Sequence, residues 1–79
     1  MKPVVLSEDI WYKLKRKLQQ DHPRSVVMVR WKMREVLGFT PREHEEWVGT
    51  RGYQTTIHLD FFDESKRTFF LLRYGDYIT

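Results

Sequence analysis

Seventy-nine residues, 41% hydrophobic and 32% charged, suffice for one small domain with a single core. There is no cysteine, which excludes disulfide scaffolds and thiolate zinc sites, so stability must come from packing. The net charge of +3 is uneven: residues 1–37 carry nine Lys/Arg against four Asp/Glu, while residues 38–79 carry five against seven. A basic first half can meet nucleic acid or an acidic partner, although most such faces are simply solvated.

The start, MKPVVLSEDIW, lacks the apolar stretch of a secretory signal, and the longest apolar run, Phe69 to Leu72, is too short to span a bilayer. A cytoplasmic location is the expectation. LSEDIWYKLKRKLQQDHP then predicts an amphipathic helix. Ser7 is suited to the N-cap, Glu8 and Asp9 place negative charge in the first turn, and Pro23 bars continuation. Ile10, Trp11, Leu14 and Leu18 share one face, and Lys13, Lys15, Arg16 and Lys17 make the other cationic.

Residues 25–37, SVVMVRWKMREVL, fit either a strand through Val27, Val29, Trp31 and Met33 or a helix through Val26, Val29, Met33, Val36 and Leu37. Gly38, placed where a left-handed C′ residue belongs, favours the helix. Residues 40–48 are also ambiguous. Thr40, Pro41 and Glu43 compose a capping box and point to a short exposed helix, with an edge strand leading to Gly49 and Gly52 as the alternative.

The chain closes on IHLDFFDESKRTFFLLRYGDYIT. Its alternation predicts a β-hairpin that turns at Asp63-Glu64-Ser65-Lys66. One face collects Ile57, Leu59, Phe61, Phe70, Leu72 and Tyr74 as core, and the other collects His58, Asp60, Phe62, Phe69, Leu71 and Arg73. The expected architecture is α+β, with N-terminal amphipathic helices packed on a C-terminal antiparallel β-hairpin or three-stranded meander.

Catalytic and metal motifs are not evident. Glu43, His44, Glu45, Glu46, His58 and Asp60 are competent ligands but lack the spacing that sets two histidines on one helical face. Ser7, Ser25 and Ser65 suit caps and a turn, and Gly49 and Gly52 lack phosphate-loop spacing. The expectation is a non-enzymatic protein with no metal and no cofactor.

Two binding readings follow. In the first, His58, Asp60, Phe62, Phe69, Leu71 and Arg73 contact a protein partner or a second copy in a homodimer, because apolar patches framed by polar groups mark interfaces. In the second, single-stranded nucleic acid is held by Lys13, Arg16, Lys17, Phe69 and Arg73. RTFFLLRY partly matches the RNA-recognition strand pattern, although Thr68 and Phe70 replace small residues and Leu71 replaces a stacking aromatic.

REVLGFTPREHEEW followed by IHLDFFDESKRTFFLLRYGDY resembles small uncharacterised proteins encoded by tailed phages of cyanobacteria and other marine bacteria. The resemblance covers about half the chain. It implies a phage accessory protein in the host cytoplasm, a class whose compact modules often bind a host protein, and it transfers no functional residue.

Overall fold

Val4 and Leu6 alternate with Val5 and Ser7 in a short strand, β1 (Val4–Ser7), that buries the first pair in the core. In the computed structural model, which describes residues 1–78, Ser7 also caps the following helix, its hydroxyl accepting from the Ile10 amide at 3.3 Å. That helix, α1 (Glu8–Asp21), buries Trp11, Leu14 and Leu18, the face marked by its periodicity.

Residues 25–37 are helical but not one helix. Two short segments, α2 (Arg24–Met28) and α3 (Arg30–Leu37), meet at an extended Val29. The valine-rich stretch has weak helix propensity, and the bend lets Val26, Val27, Met33 and Leu37 all reach the core. Gly38 closes α3 at φ +85°, its amide bonding back to the Arg34 and Met33 carbonyls.

Two expectations need correction. Residues 40–48 do not form a helix: Phe39–Trp47 is a nine-residue strand, β2, paired in antiparallel register with β3 (Tyr53–Phe61), from Phe39↔Phe61 to Trp47↔Tyr53. A single-turn 3-10 segment, Gly49–Arg51, joins them. The capping box in this segment is outweighed by backbone pairing along the whole strand, which a short exposed helix with no apolar face cannot match. Pro41 is accommodated because β2 is an edge strand.

Nor is there a C-terminal hairpin. β3 is its predicted first strand, but the second is a helix, α4 (Glu64–Ile78). Asp63, read as a turn residue, caps it: its carboxylate accepts from the Lys66 amide at 3.0 Å and its carbonyl from the Arg67 amide at 3.0 Å. Phe70 and Tyr74, one turn apart, are buried, with Leu71 and Ile78 packed beside them. Leu72, expected in the core, is 82% exposed because a helix turns it outward where a strand would have turned it in.

The chain is thus α+β with a three-stranded antiparallel sheet in the order β1-β3-β2, whose strands come from both the N-terminal region and the middle of the sequence. Val4, Leu6, Phe39, Ile57, Leu59 and Phe61 form the sheet's share of the core, and residues of all four helices cover them. The outer face carries Thr40, Arg42, His44, Thr56, His58 and Asp60. β1 pairs β3 only as far as Thr56, so the distal β2–β3 ribbon lacks a third strand; its tip carries exposed Trp47 against Tyr53, ring centroids 5.2 Å apart.

Candidate functional site

With the second hairpin strand replaced by α4, the six residues expected on one contact face are dispersed. His58 and Asp60 lie on the outer face of the sheet, Phe62 follows the end of β3, and Phe69, Leu71 and Arg73 are distributed around α4. Asp60 is engaged by Arg42, whose Nε and Nη2 donate to its two oxygens at 3.0 and 3.4 Å. This hydrogen bond and the guanidinium charge hold the Asp60 carboxyl below the usual carboxylate range. His58 Nε2 lies 3.3 Å from the Thr56 hydroxyl, which donates to the His44 carbonyl at 3.4 Å.

Phe62 is half exposed, and the Arg34 guanidinium sits 3.9 Å from its ring centroid. Leu71 packs against the core. The structure also separates the residues expected to bind nucleic acid. Lys13 and Arg16 are exposed on α1, whereas Lys17 and Arg73 converge from α1 and α4 on Asp21, at 3.4 and 3.5 Å. The Tyr74 hydroxyl donates to the same carboxylate at 2.8 Å. Two of the proposed phosphate ligands are therefore tied into a structural clasp between α1 and α4.

The clasp has a pH signature. Tyr74 is pushed up to about 12 by burial and by the hydroxyl's bond to Asp21, and Asp21 is lowered chiefly by that same bond. An unfolded tyrosine ionises near about 10. The folded phenol therefore holds its proton where the unfolded one loses it, so this contribution is complete below about pH 10 and is lost as pH rises toward about 12. Asp21 acts in the opposite direction, contributing above the usual carboxylate range and losing its effect as pH falls through its lowered value. We expect wild type to lose more stability than Tyr74→Phe between pH 9 and 12 in paired urea titrations; parallel curves would show the clasp to be energetically idle.

An apolar groove lies between α3 and α4. Its volume is about 340 Å³, and His22, Val36, Leu37, Ser65, Lys66, Phe69, Phe70 and Tyr74 line it. Phe69 is 63% exposed at its rim, and Leu72 stands one turn further along α4 beside a shallower depression that also includes Phe69. No family model, curated protein or solved structure matches the chain.

Phe69 is thus the residue of the expected partner face that the structure leaves available at a groove. The neighbouring Leu72 and Val36 were missed because their exposure depends on α4 being a helix packed beside α3. The signal was present as Phe69 and Leu72 at helical spacing, on the side away from Phe70 and Tyr74.

Proposed function

We propose that this protein is a small non-enzymatic interaction module that self-associates through the α3–α4 surface. The observation that carries the reading is exposed Phe69 at the rim of an apolar groove lined by Val36, Leu37, Phe70 and Tyr74, with exposed Leu72 on the adjoining depression that Phe69 shares. A projecting apolar pair and a hollow on one surface meet the requirement of a two-fold contact, in which each copy offers both halves. Burial of the exposed parts of Phe69 and Leu72, 63% and 82% exposed in one chain, would contribute about 4–9 kcal/mol over both copies, with the groove lining adding to it, against association costs of at least about 4 kcal/mol, which places the dimer in a modest affinity range. The sequence resemblance to small uncharacterised proteins of tailed phages would imply an accessory binding role in the host cytoplasm, and a dimer would present every other surface in duplicate.

Light scattering after size exclusion tests this reading. At about 100 µM the mass should approach twice the 9.7 kDa chain. Leu72→Glu should return it to one chain mass with an unchanged circular dichroism spectrum, since the side chain is 82% exposed and supports no core contact. A wild-type monomer at that concentration, or a dimer indifferent to Leu72→Glu, would remove the proposal.

A further inference from the structure

A second cleft lies beside α3, on the flank away from Val36. Arg30, Trp31, Arg34 and Thr40 line a depression of about 370 Å³. Arg30 and Arg34 are one turn apart and share a face. Trp31 is 62% exposed. The Lys32 ammonium approaches the Trp31 ring to 5.6 Å from its centroid, and the Arg34 guanidinium lies on Phe62 at 3.9 Å. Among the described residues, the ion pairs are Lys17–Asp21, Arg42–Asp60 and Arg73–Asp21, so neither Arg30 nor Arg34 has a carboxylate within ion-pair distance.

This combination does not suit a structural role. An exposed tryptophan contributes little to a core, and with no carboxylate in ion-pair contact both arginines keep donors free for a ligand, Arg30 sensing Asp60 only at longer range. It does suit a ligand with negative charge and flat rings at short intervals. Guanidinium groups hold phosphate oxygens with paired donors, and an indole face stacks on any base. Phe62 restrains the Arg34 guanidinium and leaves it less conformational freedom to lose on binding. Beyond the cleft, Thr40 leads onto the outer sheet face, where Asp60, its charge met by Arg42, is followed by Arg42, His44, Thr56 and His58 in a row of polar side chains along β2 and β3.

From this geometry we infer that the Arg30–Trp31–Arg34 cleft binds single-stranded nucleic acid, stacking one base on Trp31 and holding adjacent phosphates with Arg30 and Arg34. A strand is favoured over a free nucleotide because the cleft opens onto the polar sheet face, along which further nucleotides can lie. The site differs from the basic face of α1 and from the self-association surface. Its failure and the failure of the dimer can therefore be distinguished.

Fluorescence anisotropy of a labelled oligothymidylate of about 15 nucleotides, titrated with wild type and with the Leu72→Glu variant at low salt, provides the test. Both proteins should bind, with an affinity that falls as salt rises. Trp31→Ala should weaken binding about 5- to 100-fold, and Arg30→Ala and Arg34→Ala should each reduce the salt slope by about one. The exposure of Trp31 predicts an unaltered circular dichroism spectrum for its variant, which checks that the loss is local. Lys13→Glu with Arg16→Glu should change binding far less than the α3 substitutions. Lack of binding at low salt, binding untouched by Trp31→Ala and Arg30→Ala, or thymidine monophosphate competing as strongly per molecule as the strand would overturn the inference.

Discussion

Phe39→Ala should lower the free energy of unfolding by about 3–5 kcal/mol, the largest single effect expected of an apolar truncation here. Phe39 is fully buried at the start of β2, and its ring lies 5.0 Å from Phe61, 5.2 Å from Phe70 and 6.3 Å from Trp11. It is the side chain through which β2, β3, α1 and α4 meet. Removing it leaves a cavity bounded by three aromatic rings that cannot all close on the gap. A domain of this length has a total stability of roughly 4–12 kcal/mol, so the loss is a large share of it and, at the lower end of that range, enough to unfold the variant at room temperature. Urea unfolding followed by tryptophan fluorescence would measure this. Phe39→Leu, which retains much of the volume, should fall between the two. A loss below about 1 kcal/mol for Phe39→Ala would mean that the aromatic cluster does not organise the core.

Gly38→Ala should cost about 2–5 kcal/mol, although it adds a single methyl group. Gly38 holds φ at +85°, a conformation that costs an L residue about 1–2 kcal/mol. An added Cβ would also stand 2.6 Å from the Lys66 Cβ, which sits close to the backbone and cannot rotate away. Relieving such a clash costs about 1–3 kcal/mol more. Lys66 is further restrained by its backbone amide, which donates to the Asp63 carboxylate, and by its ammonium, which donates to the Glu35 carbonyl. The Gly38 carbonyl accepts the Phe62 amide at 2.8 Å, so the strain falls where α3, β2 and the start of α4 are joined. Separation of α3 from α4 would open the groove lined by Val36 and Phe69 as well. The expected result is a lower urea midpoint together with weaker self-association. A midpoint within experimental error of wild type would show that the α3–α4 junction is compliant.

The two proposed surfaces differ in how far their chemistry could be read in advance. Phe69 and Phe62 were both recognised as unowned apolar residues, but on one hairpin face. The helix places Phe69 at a groove beside α3, and Phe62 under Arg34 at the other flank. Trp31 entered the sequence reading only as one position of the strand alternative for residues 25–37. As a helix, α3 turns Met33 and Leu37 inward and leaves Trp31 on the opposite side, 62% exposed. Lys17 and Arg73 were read as free cations because a carboxylate four residues away on α1 and a helix contact across the core are separate facts in sequence, joined only when Asp21 meets Tyr74.

Local chemistry by itself determined the single small core, the capped helix from Ser7, the glycine stop at Gly38 and the extended run from Ile57 to Phe61. Each depends on side chains within one or two turns of each other, or on alternation within one segment. Only tertiary structure decided the state of Phe39–Trp47 and Glu64–Ile78. The first has almost no apolar face and becomes a strand because β3 offers it nine paired positions. The second carries apolar residues on several sides, a pattern that serves strand or helix equally. Asp63 caps it as a helix, and the aromatic pocket formed by Phe39 and Phe61 receives Phe70, with Tyr74 beside it one turn later. Segment identity here follows from what lies opposite, and a linear sequence does not contain that neighbour until the chain has folded.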